Sequence, residues 1–309
     1  MSITVVSLNP CIDWQLTTPA FVYGGMNRVQ QVGRYVAGKG INVCLALSNL
    51  GHSTLCTGFN YRENGDFITD ELDKCGIHHD FVTVEGAVRT NIKLYDASTG
   101  EMTEINQSGG QVSREELNAF HKKMSGIKGS LLVLSGSMPP GVPADIYRRL
   151  CEAWSGPVIL DAEGEALRLA LTGDKPPFCI KPNLYELEHS FGVKFSSNDE
   201  IVAFCKGLIA AHGVGMICVS MGAEGALLVT ANSVYFLPAL KLTVGGVQGA
   251  GDSLVAGLAM GLSLGAPEGE MLRMAMAAAA ASVVREGTLM CTKSGFDMYY
   301  EKMPQPLSI

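Results

Sequence analysis

The chain has 309 residues, is 47% apolar, carries 36 glycines and has a formal net charge of −7. That composition excludes a disordered chain and allows about two domains of roughly 150 residues each, or one large α/β unit. No basic tract interrupts the acidic balance, which argues against nucleic acid as a partner and leaves a small anion to be met by local arginines and backbone nests.

The first residues, Met1-Ser2-Ile3-Thr4-Val5-Val6, already form a strand pattern and lack the basic start and cleavage site of a signal peptide. Residues 3–8 predict a buried strand that runs into Asn9-Pro10-Cys11-Ile12-Asp13. Loops at the carboxyl ends of parallel strands are where α/β proteins bind ligands. Asp13 is therefore a candidate for orienting sugar hydroxyls, against the plainer alternative of an Asx turn after Pro10. Residues 29–36 predict an extended piece. Ala37-Gly38-Lys39-Gly40-Ile41-Asn42-Val43 then opens a helix that stops at Gly51. This is not a P-loop, because Gly40 rather than Ser or Thr follows Lys39. Lys39 and Asn42 either face an anion in a cleft or are a solvated lysine and a polar helix start.

A strand at 54–59 and a helix at 66–74 follow, then extended runs at 81–84, 90–95 and 102–106. The last two, joined by Ala97-Ser98-Thr99-Gly100, predict a hairpin inserted in an otherwise βαβ chain. Arg89 at its start is a candidate phosphate ligand, since guanidinium grips phosphate in a bidentate way, although surface arginines are common. From Ser113 the pattern is regular, with helices at 114–124, 144–154, 165–171 and 199–212. They alternate with strands at 131–134, 158–160, 178–180 and 216–219. This alternation predicts a mostly parallel sheet with helices on both faces. Strand after strand ends in polar or glycine residues, so candidate sites converge on one edge.

A second hairpin at 226–229 and 233–237 precedes Gly245-Gly246-Val247-Gln248-Gly249-Ala250-Gly251-Asp252-Ser253 and two helices, 254–264 and 268–284. Glycines ahead of a helix let a ligand approach the backbone, and the helix start points free N–H groups and positive dipole at it. An anion cradle beside a carboxylate that can take a hydroxyl proton suggests phosphoryl transfer to an alcohol. The plainer alternative is a tight turn with Asp252 as an N-cap.

Nine scattered cysteines without a Cys-x-x-Cys pair argue against zinc and disulfides, and for buried thiols in a reducing cytoplasm. Neither a His-Glu-x-x-His pattern nor a Gly-x-Ser-x-Gly elbow is present. The weakly charged stretch 254–266 is too short to span a bilayer.

Five motifs in order, Gly38-Lys39-Gly40-x-Asn42, Ser135-Gly136-Ser137-x-Pro139-x-Gly141, Lys181-Pro182-Asn183-x-x-Glu186, Ser220-x-Gly222-x-x-Gly225 and Gly249-Ala250-Gly251-Asp252-Ser253, resemble the ribokinase-like (PfkB) sugar kinases over essentially the whole chain. Asn9-Pro10-x-x-Asp13, Gly-Lys-Gly-Ile-Asn-Val at 38–43 and Arg89-Thr90-Asn91-Ile92-Lys93 look most like the 1-phosphofructokinase and tagatose-6-phosphate kinase branch. The resemblance implies residues 1–309 as a single ribokinase-like α/β domain, with a doubly wound sheet and a small β-sheet lid inserted from about 12–36 and 89–107. It implies an ATP- and Mg2+-dependent kinase acting on a ketohexose monophosphate, and a homodimer formed through the lid.

Carried over by position, the resemblance makes Asp252 the catalytic base and gives the charge developing on the phosphoryl group to the N–H groups of Gly249, Ala250 and Gly251. Asp13, Gly38, Lys39 and Asn42 would bind the sugar, and Arg28, Arg89 and Ser137 its phosphate. Ser220, Gly222 and Gly225 would border the nucleotide, with Lys181 and Asn183 near its phosphates and Glu186 organising magnesium through water. Two departures stand out. Gly246-Val247-Gln248 replaces the usual Ser-Thr-Val, removing a hydroxyl near the nucleotide, and Met26 replaces a second phosphate-binding cation. A sugar-phosphate-binding regulator on a decayed kinase fold is the rival from another class, and the intact Asp252 counts against it. A dinucleotide-binding oxidoreductase lacks its Gly-x-Gly-x-x-Gly after the first strand.

Overall fold

The computed structural model describes residues 2–285, 287 and 289–309. In chain order, β1 (Ile3–Ser7), β2 (Cys11–Thr18) and β3 (Gln30–Ala37) lead to α1 (Lys39–Asn49), β4 (Thr54–Glu63), α2 (Gly65–Lys74) and β5 (His78–Ala87). The hairpin β6 (Arg89–Asp96) and β7 (Glu101–Asn106) precedes α3 (Arg114–Gly126), β8 (Leu131–Ser135), α4 (Ile146–Ala153), β9 (Val158–Asp161) and α5 (Gly164–Leu171). Next come β10 (Cys179–Ile180), α6 (Leu184–Phe191), α7 (Asn198–His212), β11 (Met216–Ser220), β12 (Ala226–Thr230) and β13 (Val234–Leu237). The chain ends with α8 (Ala250–Leu264), α9 (Glu268–Val283), α10 (Lys293–Lys302) and β14 (Leu307–Ser308).

These strands form two sheets. The larger has the order β14-β13-β12-β11-β10-β9-β8-β1-β4-β5 and is parallel from β11 to β5, with antiparallel pairing only along the β11-β12-β13-β14 edge. Every residue of β1, β8 and β9 is buried, so both faces of the sheet are covered, as a near-continuous apolar run requires. The pair α8 and α9 approaches closely because its contact is made of small residues. A Cβ on Gly257 would lie 2.5 Å from the Ala275 Cα. The Met-rich pattern of α9 is core, with Met271 and Met276 buried.

The smaller sheet has the order β3-β2-β6-β7. Asp13 pairs with Asn91 and Gln15 with Lys93, while Lys93 faces Glu104 and Asn91 faces Asn106. The two-residue period of a strand puts these polar groups on one face and Trp14, Leu16, Ile92, Leu94 and Ile105 on the other. Both hairpins expected from the sequence form, and β3 keeps the expected length but is shifted by one residue, to 30–37. Three elements were not expected: α6, α10 and β14. The start of α6 is a capping box in which Asn183 and Glu186 satisfy each other's backbone N–H. Among the described residues, no helix is long and apolar enough to cross a membrane.

Candidate active site

The glycine-rich turn ends in Gly249, which has φ 77°, in the left-handed region that glycine accepts cheaply. A Cβ there would also lie 2.2 Å from the Met290 Cε. Helix α8 starts at once, so the N–H groups of Ala250, Gly251 and Asp252 lack intrahelical acceptors and carry the positive end of the dipole. The atom nearest to a Cβ on Gly251 is the Lys181 Nζ, at 3.9 Å, which sets an ammonium beside the cradle. Asp252 is not an N-cap, because Gly249 holds that position and no side chain caps the helix. It is 6% exposed, and the Asn42 Nδ2 donates to its Oδ2 at 2.7 Å. Burial, reinforced by the Asp161 carboxylate, raises the Asp252 pKa to about 6, even though Lys39, Asn42 and Lys181 favour the charged form.

Asn42 is in reach because α1 starts at Gly38, whose φ of 111° turns the chain from β3 into the helix. The same turn projects Lys39 inward. Its Nζ lies 3.1 Å from the Glu186 Oε1 and 3.4 Å from the Asp161 Oδ2, and the buried Lys181 Nζ lies 3.2 Å from the Asp161 Oδ1. Burial alone would raise the Asp161 carboxyl and lower Lys39. Instead, Lys181 and Lys39 hold Asp161 below its usual range, and Asp161, Glu186 and Asp252 hold Lys39 above its own. Both therefore stay ionised beside the cradle, a charged cluster of three carboxylates and two ammoniums. The sequence reading passed over Asp161. Its signal was a carboxylate at the end of an apolar strand, facing a lysine at the end of the next.

On one side of that cluster, Asn183 and Glu186 open α6, and Asn183 bridges to Ser220 at the end of β11. Gly222 (φ 58°) leaves open space where a Cβ would stand, whereas a Cβ on Gly225 would lie 2.1 Å from the Leu237 carbonyl oxygen. No group of three or more His, Cys, Asp or Glu able to enclose a metal occurs among the described residues. Magnesium keeps its waters and binds through one or two carboxylates plus substrate phosphates, so Glu186 beside an anion cradle fits it.

The other side of Lys39 opens into a cavity of about 450 Å³, lined among others by Asn9, Arg89, Asn91, Asn106 and Ser137. That volume suits a small polar ligand. Arg89 builds its wall: Nε and Nη2 donate to the Asn9 carbonyl oxygen at 3.2 and 3.1 Å, and Nη1 donates to Asn91 at 3.0 Å. The Asn9 Nδ2 donates to the Ser137 Oγ at 3.2 Å. Asp13 belongs to β2 rather than to a loop, which removes the Asx-turn alternative. It is 4% exposed and accepts from the Asn91 Nδ2 at 3.1 Å. Burial raises its carboxyl above the usual range against the pull of Lys93 and Asn91.

Arg28 stands apart. It is exposed between β2 and β3 and lines a separate outer depression of about 490 Å³ with Thr17, Thr18 and Ala97. The fold does not bring it to Arg89 and Ser137, because the β2–β3 connection carries it to the outer end of the small sheet. That depression touches none of the charged cluster, so its size does not make it the site. Asn9, Asn91, Asn106 and Asp161 are among the polar residues that the sequence does not assign to the site.

Known proteins resemble this chain along most of its length. The pattern of the "pfkB family carbohydrate kinase" matches residues 2–294. A 1-phosphofructokinase of Bacillus subtilis is 36% identical over 288 residues, covering 92% of this chain and 93% of its own. One of Borreliella burgdorferi is 33% identical over 287 residues, covering 92% of each. Among solved structures, phosphofructokinase-2 from Escherichia coli in complex with substrates and products superposes with a TM-score of 0.92 at 26% identity, covering 98% of this chain and 99% of that one. A possible 1-phosphofructokinase from Thermotoga maritima gives 0.89 at 27% identity, covering all of both chains. The chain belongs to the pfkB family of carbohydrate kinases, phosphotransferases with an alcohol group as acceptor.

Proposed function

We propose that this protein is an ATP-dependent sugar-phosphate kinase that converts fructose 1-phosphate and ATP to fructose 1,6-bisphosphate and ADP. The observation that carries the mechanism is the buried Asp252, held by Asn42 at a helix start and shifted to a pKa of about 6. The likeness to two 1-phosphofructokinases over nine-tenths of the chain carries the choice of substrate.

In this reading the free hydroxyl oxygen of the sugar attacks the γ-phosphorus of ATP, the bond from that phosphorus to the bridging oxygen breaks, and ADP leaves. Asp252 takes the hydroxyl proton late, as the oxygen gains its bond to phosphorus, so a base of pKa about 6 suffices near neutral pH. The N–H groups at Gly249, Ala250 and Gly251 stabilise charge gathering on the transferred group, and Lys181 adds a fixed positive charge beside them. Asp13, Gly38, Lys39 and Asn42 orient the sugar, while Arg89 and Ser137 hold the phosphate it already carries. Arg28 lies too far out to share that task within one chain. Ser220, Gly222 and Gly225 border the nucleotide with Asn183. Glu186 would hold Mg2+ through water, and the ion would supply charge neutralisation at the phosphates.

The small sheet serves as a lid that keeps water from competing as acceptor. Its apolar outward face, with Ile105 52% exposed, supports a homodimer formed through the lid, which light scattering on the purified protein would test. Free cysteines, nearly all buried, support a reducing, cytoplasmic setting.

The decisive experiment is steady-state ADP release with Mg-ATP across fructose 1-phosphate, fructose 6-phosphate, tagatose 6-phosphate, fructose and ribose. A kcat/KM preference for fructose 1-phosphate supports the proposal. Preference for a 6-phosphate keeps the mechanism and overturns the substrate. Tight binding without turnover on any sugar overturns the kinase reading.

A further inference from the structure

Gln248 has no part in the scheme above, and it replaces an apolar residue usual at its position in the family. Its side chain is nevertheless committed: the Gln248 Nε2 donates to the Glu104 Oε1 at 2.6 Å. The Glu104 Oε2 in turn accepts from the Lys93 Nζ at 2.5 Å and from the Asn106 Nδ2 at 3.4 Å. Three elements thus meet on one carboxylate: β6, the edge strand β7, and the turn that ends one residue later at Gly249.

The lid needs such a contact at this point. All six residues of β7 are exposed and, among the described residues, the strand is paired on one side only, by β6, so little apolar packing seats this edge on the body of the molecule. Lys93 is different. Its side chain is 8% exposed, and it projects from the same face of β6 as Asn91, which donates to Asp13. A polar chain therefore runs from the acceptor-binding face of the lid to the residue preceding the phosphoryl cradle.

We infer that Gln248 is a positioning residue whose hydrogen bond to Glu104 latches the lid strand β7 onto the cradle, so that the acceptor site and the phosphoryl site close as one unit. This rests on the reading of the two regions as lid and cradle of a kinase. Without the latch the edge opens more often, the acceptor is held less well, and the chemistry of a closed complex is little changed.

The test is amide hydrogen exchange of the full-length protein over residues 89–107, in wild type, Gln248→Val and Gln248→Lys, with the kinetics of each. Valine removes the donor, whereas lysine restores one to the same carboxylate. A hydrogen bond to a charged group, discounted for its partial exposure, sets the expected size: exchange and the KM for fructose 1-phosphate rise about three- to tenfold in Gln248→Val. The kcat and the KM for ATP stay within about twofold, and Gln248→Lys behaves as wild type. Wild-type exchange in Gln248→Val, equal opening in the valine and lysine variants, or a rise shared by peptides from β1 and β8 would each overturn the latch. If the wild type phosphorylates no sugar, the kinase reading fails, while the exchange comparison still decides whether Gln248 holds the lid.

Discussion

The two sheets place their chemistry in opposite environments. In the larger one, β1, β8 and β9 bury every residue, and the polar groups of the site stand where the apolar run ends, at Asp161 and Lys181. In the smaller one, polar and apolar residues alternate along β2 and β6, and β7 is exposed throughout. The first arrangement fixes charges in a preorganised frame whose removal disturbs packing as well as chemistry. The second buries Asp13 and Asn91 but leaves its edge strand β7 exposed, so that edge can move without unfolding the core. Function is divided accordingly. In the proposed mechanism the large sheet and α8 hold the proton acceptor and the phosphoryl cradle, and the small sheet, with the start of α1, holds the alcohol.

Substitutions can break that division. The largest effect is expected for Asp252→Asn, which removes the base: kcat falls by about 10³-fold. Stability moves the other way. Asp252 has a folded pKa of about 6 against an ordinary value of 3.8. Between those values the native state keeps a proton that the unfolded state has lost, so stability declines as pH rises through that window. The cost is complete above it, and Asp252→Asn should be more stable by up to about 3 kcal/mol near neutral pH, read from urea unfolding. Equal or lower stability would contradict a buried carboxylate whose partners only partly offset its burial.

Lys181→Met attacks the same frame through its buried ion pair. It leaves Asp161 with one partner fewer and should destabilise the protein by about 3 kcal/mol, while kcat also falls. Asn91→Ala in the small sheet should instead raise the KM for the sugar phosphate about tenfold and change the unfolding free energy by only about 1 kcal/mol. A comparable loss of stability in both variants would abolish the contrast. The smallest effect is on the pH profile. Activity needs the ionised Asp252, so kcat/KM should fall about tenfold per unit as pH drops below about 6, and Asp252→Asn should lose that limb.

The sequence made the frame legible because apolar strands and glycine turns repeat along it, and the motif glycines mark where the backbone must be approached. It also marks Asp252 as either a base or an N-cap, and the convergence of strand ends on one edge favours the base. Less legible were groups whose role depends on a neighbour distant in the chain. Asp161 becomes part of the site only when Lys39 and Lys181 converge on it, and Asn91 only when pairing with β2 sets it beside Asp13. Arg28 shows the reverse: the family resemblance implies a phosphate ligand there, but the β2–β3 connection carries it outward. The start of α6 is legible in the Asn183 and Glu186 spacing, which is that of a capping box.

The most direct test of Asp252 as the base that accepts the sugar proton is a single-turnover rapid-quench measurement with γ-labelled Mg-ATP and fructose 1-phosphate, comparing wild type with Asp252→Asn. Label should pass to fructose 1,6-bisphosphate in the wild type and do so about 10³-fold more slowly in the variant, with nucleotide binding retained. Transfer in the variant within about tenfold of wild type would contradict that role for Asp252.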